Sequence, residues 1–206
     1  MALKTLGIST SPRLNGNTDL LLRQALCGAE SAGSEIEYLR VCDYRLQGCS
    51  ECDACCTTGS CAIDDDYNKI QAKMLAADRL IFATPVFFMT VCAQAKLLID
   101  RGQCLWARKT VLGKPLFERK RDRRGMIIAA GGSRSKKQFD CVRRPIASCF
   151  ECLEVSHVSS LFVNQVDEKG AVLKRPEALA EALRLGRELA GGEEPAPDEP
   201  VCVELL

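Results

Sequence analysis

Short apolar runs recur along the chain at residues 3–9, 79–84, 125–130 and 155–163, each bounded by polar or turn residues, and Glu35 to Val41 alternates enough to be a further strand, the second in chain order. Runs of this length predict strands buried on both faces. Between them the period changes. Leu20, Leu21, Ala25 and Leu26 repeat at helical spacing and predict a helix over 18–32, with Asn17 or Thr18 as its N-cap. A second helix is predicted from Asp64 to Asp66, where acidic side chains suit a helix start, through about Ala77. Further helical patterns cover 91–103, 136–153 and 176–190, the last opening on Pro176.

Strands alternating with helices predict an α/β fold, a doubly wound five-stranded parallel sheet with right-handed crossovers. One domain is expected over 1–190, with a cysteine-rich insert at 47–62 after the second strand. The acidic, proline-rich run 191–206 is expected to be a loose tail. Ligands of such sheets bind beyond the carboxyl ends of the strands, so the segments after Ser9, Thr84 and Ala130 are the candidates.

Composition narrows the function classes. With 28 basic and 27 acidic side chains, the chain has no field that would favour nucleic acid or a membrane surface as partner. No apolar run approaches a membrane span, and no basic n-region precedes the first strand, so a cytoplasmic location is expected. His157 is the only histidine and is expected to be structural. Thirteen cysteines in such a chain favour metal ligation or redox work over disulfides.

The first candidate segment, ISTSPRLNGNT at 8–18, joins hydroxyls, Arg13 and a helix N-terminus. That combination suits an anion such as phosphate, and an ordinary capped turn is the alternative. It matches neither the dinucleotide fingerprint nor the P-loop. Cys49, Cys52, Cys55 and Cys61 form a C-x2-C-x2-C-x5-C array, with Cys56 in addition. Four soft donors in one short segment suit an iron–sulfur cluster or zinc, and a metal-free segment is the third reading. The other cysteines, Cys27, Cys42, Cys92, Cys104, Cys141, Cys149, Cys152 and Cys202, are read as small buried hydrophobes. The charge run 118–124 is read as a solvated loop, or as a dock for an acidic protein or the 2′-phosphate of NADPH.

ISTSPRLNGNT resembles the phosphate loop of the flavodoxin-like NADPH-dependent FMN reductases. TPVFFMTV at 84–91 resembles that family's S/T-P-V-Y-F-G-S loop, with Phe87 where tyrosine is common and Met89 where glycine is common. AGGS at 130–133 resembles its third flavin loop. The cysteine array resembles that of the iron–sulfur flavoproteins, a branch of the same family, and the resemblance spans roughly 3–165. It implies a flavodoxin-like fold binding FMN through Ser9, Ser11, Arg13, Asn17, Thr18, Thr84, Pro85, Val86, Phe87, Phe88, Met89, Gly131 and Gly132. It also implies a [4Fe–4S] cluster on Cys49, Cys52, Cys55 and Cys61, with Cys56 able to replace Cys55. Electrons would pass from a ferredoxin-like donor through the cluster to FMN and a small acceptor, in a homodimer or homotetramer, with no catalytic side chain. Trp106 and Phe117 are candidates for covering a neighbouring subunit's flavin. Two alternatives stand beside this reading. One is an NAD(P)H-dependent FMN or quinone reductase without a cluster, and the other is a cysteine-based redox or metal sensor.

Overall fold

β1 (Lys4–Ser9) is buried from Thr5 onward because it lies between β2 (Glu35–Arg40) and β3 (Arg79–Phe87), pairing in parallel with both. The computed structural model describes residues 2–192 and 195–205. β4 (Thr90–Val91) folds back antiparallel on the end of β3. β5 (Arg124–Ala130), β6 (Ser156–Val163) and β7 (Val201–Leu205) continue the parallel sheet, giving the order β2-β1-β3-β5-β6-β7. Register aligns Ser9 with Ala83, Pro85 with Ala130, and Ala130 with Val163. The carboxyl ends of β1, β3, β5 and β6 therefore share one rim.

The apolar runs are continuous because alternate residues serve two helical layers. Ile81, Ala83, Met126, Ile128, Leu161 and Val163 face α1 (Asn17–Ser31) and α7 (Pro176–Gly191). Leu6, Ile8, Leu80, Phe82, Ile127 and Ala129 face the other layer, which contains α3 (Tyr67–Ala76), α4 (Ala93–Arg101) and α6 (Asp140–Cys152). The short α2 (Ala54–Thr58) lies within the cysteine segment, and α5 (Gln103–Trp106) follows α4. Among the described residues no helix is long and apolar enough to cross a membrane.

Several expectations are corrected. The structure has seven strands where five were expected, β4 and β7 being the additions. Val201–Leu205 lies in the stretch read as a loose tail, yet it pairs with β6, and Asn164 N–H donates to the Leu205 carbonyl. Gly16, not Asn17 or Thr18, is the N-cap of α1. The charge run is only partly solvated. Arg123 is buried with its guanidinium on the carbonyls of Ala77, Leu153 and Met74, while Arg79 reaches Asp122. Burial holds Arg123 down at about 10. Cys27, Cys141 and Cys202 are exposed rather than buried, and Cys42 and Cys152 are only partly buried; Cys27 and Cys141 sit beside Leu26 and Val142, which take the core-facing positions.

Candidate functional site

The loop after β1 is fastened to the sheet before it turns into α1. Thr10 N–H and Oγ1 both donate to the Ala83 carbonyl, at 3.0 and 2.9 Å. Ser11 Oγ accepts from Arg13 N–H at 3.1 Å and folds the loop back, and Gly16 N–H reaches the Arg13 carbonyl. No side chain caps Gly16, so the first-turn N–H groups of α1 keep their donor capacity beside the cleft. Asp19 would oppose an anion there, but its carboxylate is buried and occupied by Tyr38 Oη, Asn15 N–H and Arg23. The helix end thus stays electropositive.

Three more strand ends complete the cleft. Ser11, Arg13, Asn17, Thr18, Pro85, Val86, Phe87, Gly131 and Gly132 line it together with Val166 and Asp167, enclosing about 70 Å³. Asn17 Nδ2 donates to the carbonyls of Val166 and Glu168, and its Oδ1 accepts Val172 N–H. Its side chain is therefore a strut for the loop after β6. The glycines are steric requirements. A Cβ on Gly131 would lie 2.2 Å from Gln138 Oε1, and one on Gly132 would lie 2.9 Å from Asp167 Cβ. Ser9 and Thr84 are buried behind the cleft, where Thr84 Oγ1 accepts Cys92 N–H at 3.3 Å. Sequence reasoning missed Val166 and Asp167, although they follow a predicted strand at the same rim.

Phe88 and Met89 lie outside the cleft. Val86 pairs with Val91 and Phe87 with Thr90, leaving Phe88 and Met89 as a two-residue hairpin turn with φ of 46° and 66°. Positive φ at both positions favours Asn-Gly sequences, so a Phe-Met pair holds backbone strain there. Phe88 is fully exposed, and Phe87 and Met89 are a little under half exposed.

The cleft fits the phosphate end of FMN, with backbone donors, Ser11, Thr18 and Arg13 around a space of about 70 Å³. Sites enclosing a whole ligand of drug size run to about 300–1,000 Å³. Pro85, Val86 and Phe87 form the apolar side of this small cleft.

Cys49, Cys52, Cys55 and Cys61 line a second cavity of about 600 Å³, shared with Arg101, Cys104, Cys149 and Cys152. Cys56 is not among its lining residues. Left-handed backbone at Glu51, Asp53 and Gly59 turns the segment around the cavity. Burial pushes the Cys55 thiol up, as does the adjacent Cys56. Among the described residues no three His, Cys, Asp or Glu side chains are assembled in metal-binding geometry. The donor set nonetheless fits an iron–sulfur group by its chemistry, four soft sulfurs around one space. Burial alone would raise the Asp65 carboxyl next to this segment, but Arg101 and the N–H groups of Gln47 and Tyr67 hold it below the usual range.

Comparison with known proteins gives a consistent picture. The family model for NADPH-dependent FMN reductase matches residues 3–167. An iron–sulfur flavoprotein of Methanocaldococcus jannaschii is 40% identical over 142 residues, covering 69% of each chain. One from Archaeoglobus fulgidus is 34% identical over 112 residues, covering 54% of this chain and 51% of the relative. The alignments thus span half to two thirds or so of these relatives. The solved NAD(P)H:quinone oxidoreductase from Methanothermobacter marburgensis superposes with a TM-score of 0.70 at 17% identity, covering 95% of this chain and all of the other. That likeness shows the flavodoxin-like fold.

Proposed function

From the premise that the chain belongs to the iron–sulfur flavoprotein branch of the NADPH-dependent FMN reductase family, and is an FMN-dependent oxidoreductase, we propose that it takes electrons one at a time from a ferredoxin-like protein and delivers them to a small acceptor. A [4Fe–4S] cluster on Cys49, Cys52, Cys55 and Cys61 is the entry point in this reading. The observation that carries it is the convergence of all four array cysteines on one cavity.

When bound, FMN supplies both one- and two-electron chemistry, and the cluster supplies one-electron chemistry. The chain's own residues bind and orient. Ser11, Thr18, Arg13 and the first turn of α1 hold phosphate, and Pro85 to Phe87 offer an apolar wall. Gly132 keeps the cleft open toward Asp167, and Gly131 leaves room for Gln138 and Val86. No side-chain acid or base is assigned to the reaction. The exposed Phe87, Phe88 and Met89 support a homodimer or homotetramer in which a second copy covers this surface. The thirteen free thiols suit a reducing cytoplasm.

The family's own description supports a second reading, in which NADPH is the direct donor. Anaerobic titration separates the two. Reduced ferredoxin should bleach cluster and flavin absorption with a rate well above that of NADPH at equal reducing equivalents. Rapid reduction by NADPH alone, with ferredoxin inert, would establish the second reading instead.

A further inference from the structure

Both ends of the cysteine segment are held by one side chain. Arg101, the last residue of α4, is 1% exposed. Its Nη1 donates to Asp65 Oδ2 at 2.6 Å and to the Gln47 carbonyl at 3.0 Å. Its Nη2 donates to Asp65 Oδ1 at 3.1 Å and points at the Ile63 carbonyl, 3.5 Å away. Asp65 in turn accepts Gln47 N–H at 2.8 Å and Tyr67 N–H at 3.0 Å, and the guanidinium lies over the Tyr67 ring. Gln47 precedes Cys49, and Ile63 and Asp65 follow Cys61, so this clasp closes the loop that carries the four thiols.

The clasp does not use the whole guanidinium. Arg101 Nε is buried with no hydrogen-bond partner, although every other polar contact of the side chain is made. Leaving a buried donor unpaired is destabilising. Arg101 also lines the cavity of Cys49, Cys52, Cys55 and Cys61. Asp65 and Arg101 have no solvent-exposed side-chain surface, so their charges are weakly screened.

We propose that Arg101 is the positioning residue of the cysteine site, its two Nη atoms closing the loop while its charge acts on the sulfur-bound group. The proposal rests on the reading of the four cysteines as cluster ligands. A cluster on four thiolates carries negative charge that grows on reduction. A permanent guanidinium beside it favours the reduced form, and Asp65 partly offsets that field. Removing the cation and removing its anion must then shift the cluster's reduction potential in opposite directions. A purely structural ion pair would loosen the site in the same way from either side.

The test is a potentiometric titration of the anaerobically purified holoprotein, monitored by electron paramagnetic resonance, with iron and sulfide analysis of each sample. Arg101→Gln should lower the potential and Asp65→Asn should raise it. Each shift should reach about a tenfold change in the reduced-to-oxidised ratio, 59 mV for one electron. Arg101→Lys, which keeps charge without the fork, should fall between Arg101→Gln and the parent. Equal potentials in iron-replete variants, or shifts of one sign, overturn the proposal for Arg101 alone. A parent protein without iron and sulfide overturns the cluster reading and this inference with it. If Arg101→Gln does not fold, Asp65→Asn decides, a rise supporting the proposal and its absence overturning it.

Discussion

Arg13 Nη1 donates a 3.0 Å hydrogen bond to the Asp167 carbonyl, joining the loop after β1 to the loop after β6 across the mouth of the cleft. One donor is spent on that bridge, and the guanidinium has others to offer an anion. Arg13→Met should raise the dissociation constant for FMN about ten- to a hundredfold, the value of roughly 1.5–3 kcal/mol for a charge-assisted bond. The melting temperature of the apoprotein should hardly move, because the side chain is exposed. Quenching of FMN fluorescence by the apoprotein gives the affinity.

The Phe88–Met89 turn trades stability for surface. Replacing both at once, Phe88→Asn with Met89→Gly, suits the positive φ angles of 46° and 66°. The double variant should gain about 1–2 kcal/mol in denaturant unfolding, from relief of left-handed strain at two positions. It should also show weaker self-association by light scattering, since it loses the exposed apolar tip. Unchanged stability would mean that the turn is not strained.

Gly132→Val tests the steric requirement in the cleft. The added Cβ would stand 2.9 Å from Asp167 Cβ, and the branch methyls extend further into the space between the two loops. Flavin retention on purification should fall at least tenfold while far-ultraviolet circular dichroism stays that of the parent. Full flavin content in this variant would place the phosphate elsewhere.

His157 gives a pH signature that one residue alone can produce. Burial lowers its imidazole below the ordinary 6.5, with the Ser159 carbonyl partly offsetting this and Arg143 adding to it. The unfolded chain therefore binds the proton more tightly than the folded one. Stability is complete above about pH 6.5 and falls as pH drops toward the folded value. Proton NMR of the single histidine should show a depressed pKa, and His157→Gln should flatten the fall in unfolding free energy just below about pH 6.5. A raised value would contradict the burial argument.

β1, β3, β5 and β6 were legible because their apolar runs serve two helical layers at once, as the alternation of Leu80 and Phe82 with Ile81 and Ala83 shows, and the edge strand β2 was legible from its alternation. The rim loops were legible because strand order and ligand position are linked in such sheets. What escaped had no periodic signal. Val201–Leu205 is a short edge strand behind a proline-rich acidic stretch. Arg123 looks like part of a solvated charge run, and only the carbonyls of Met74, Ala77 and Leu153, brought in from other segments, explain its burial. Arg101 reads as an ordinary helix terminus until Gln47 and Asp65 close upon it. Cys104, Cys149 and Cys152 fit helical burial equally well, and the fold places all three on the cavity of the array cysteines.

The most direct test of the central claim is iron, acid-labile sulfide, zinc and flavin analysis of one anaerobically purified sample with its absorption spectrum. The expected result is FMN together with about four irons and four sulfides per chain, the content of a cubane, with iron and sulfide lost together and FMN retained in a variant with Cys49, Cys52 and Cys61 replaced by serine. FMN without iron or sulfide, or zinc in their place, would contradict it.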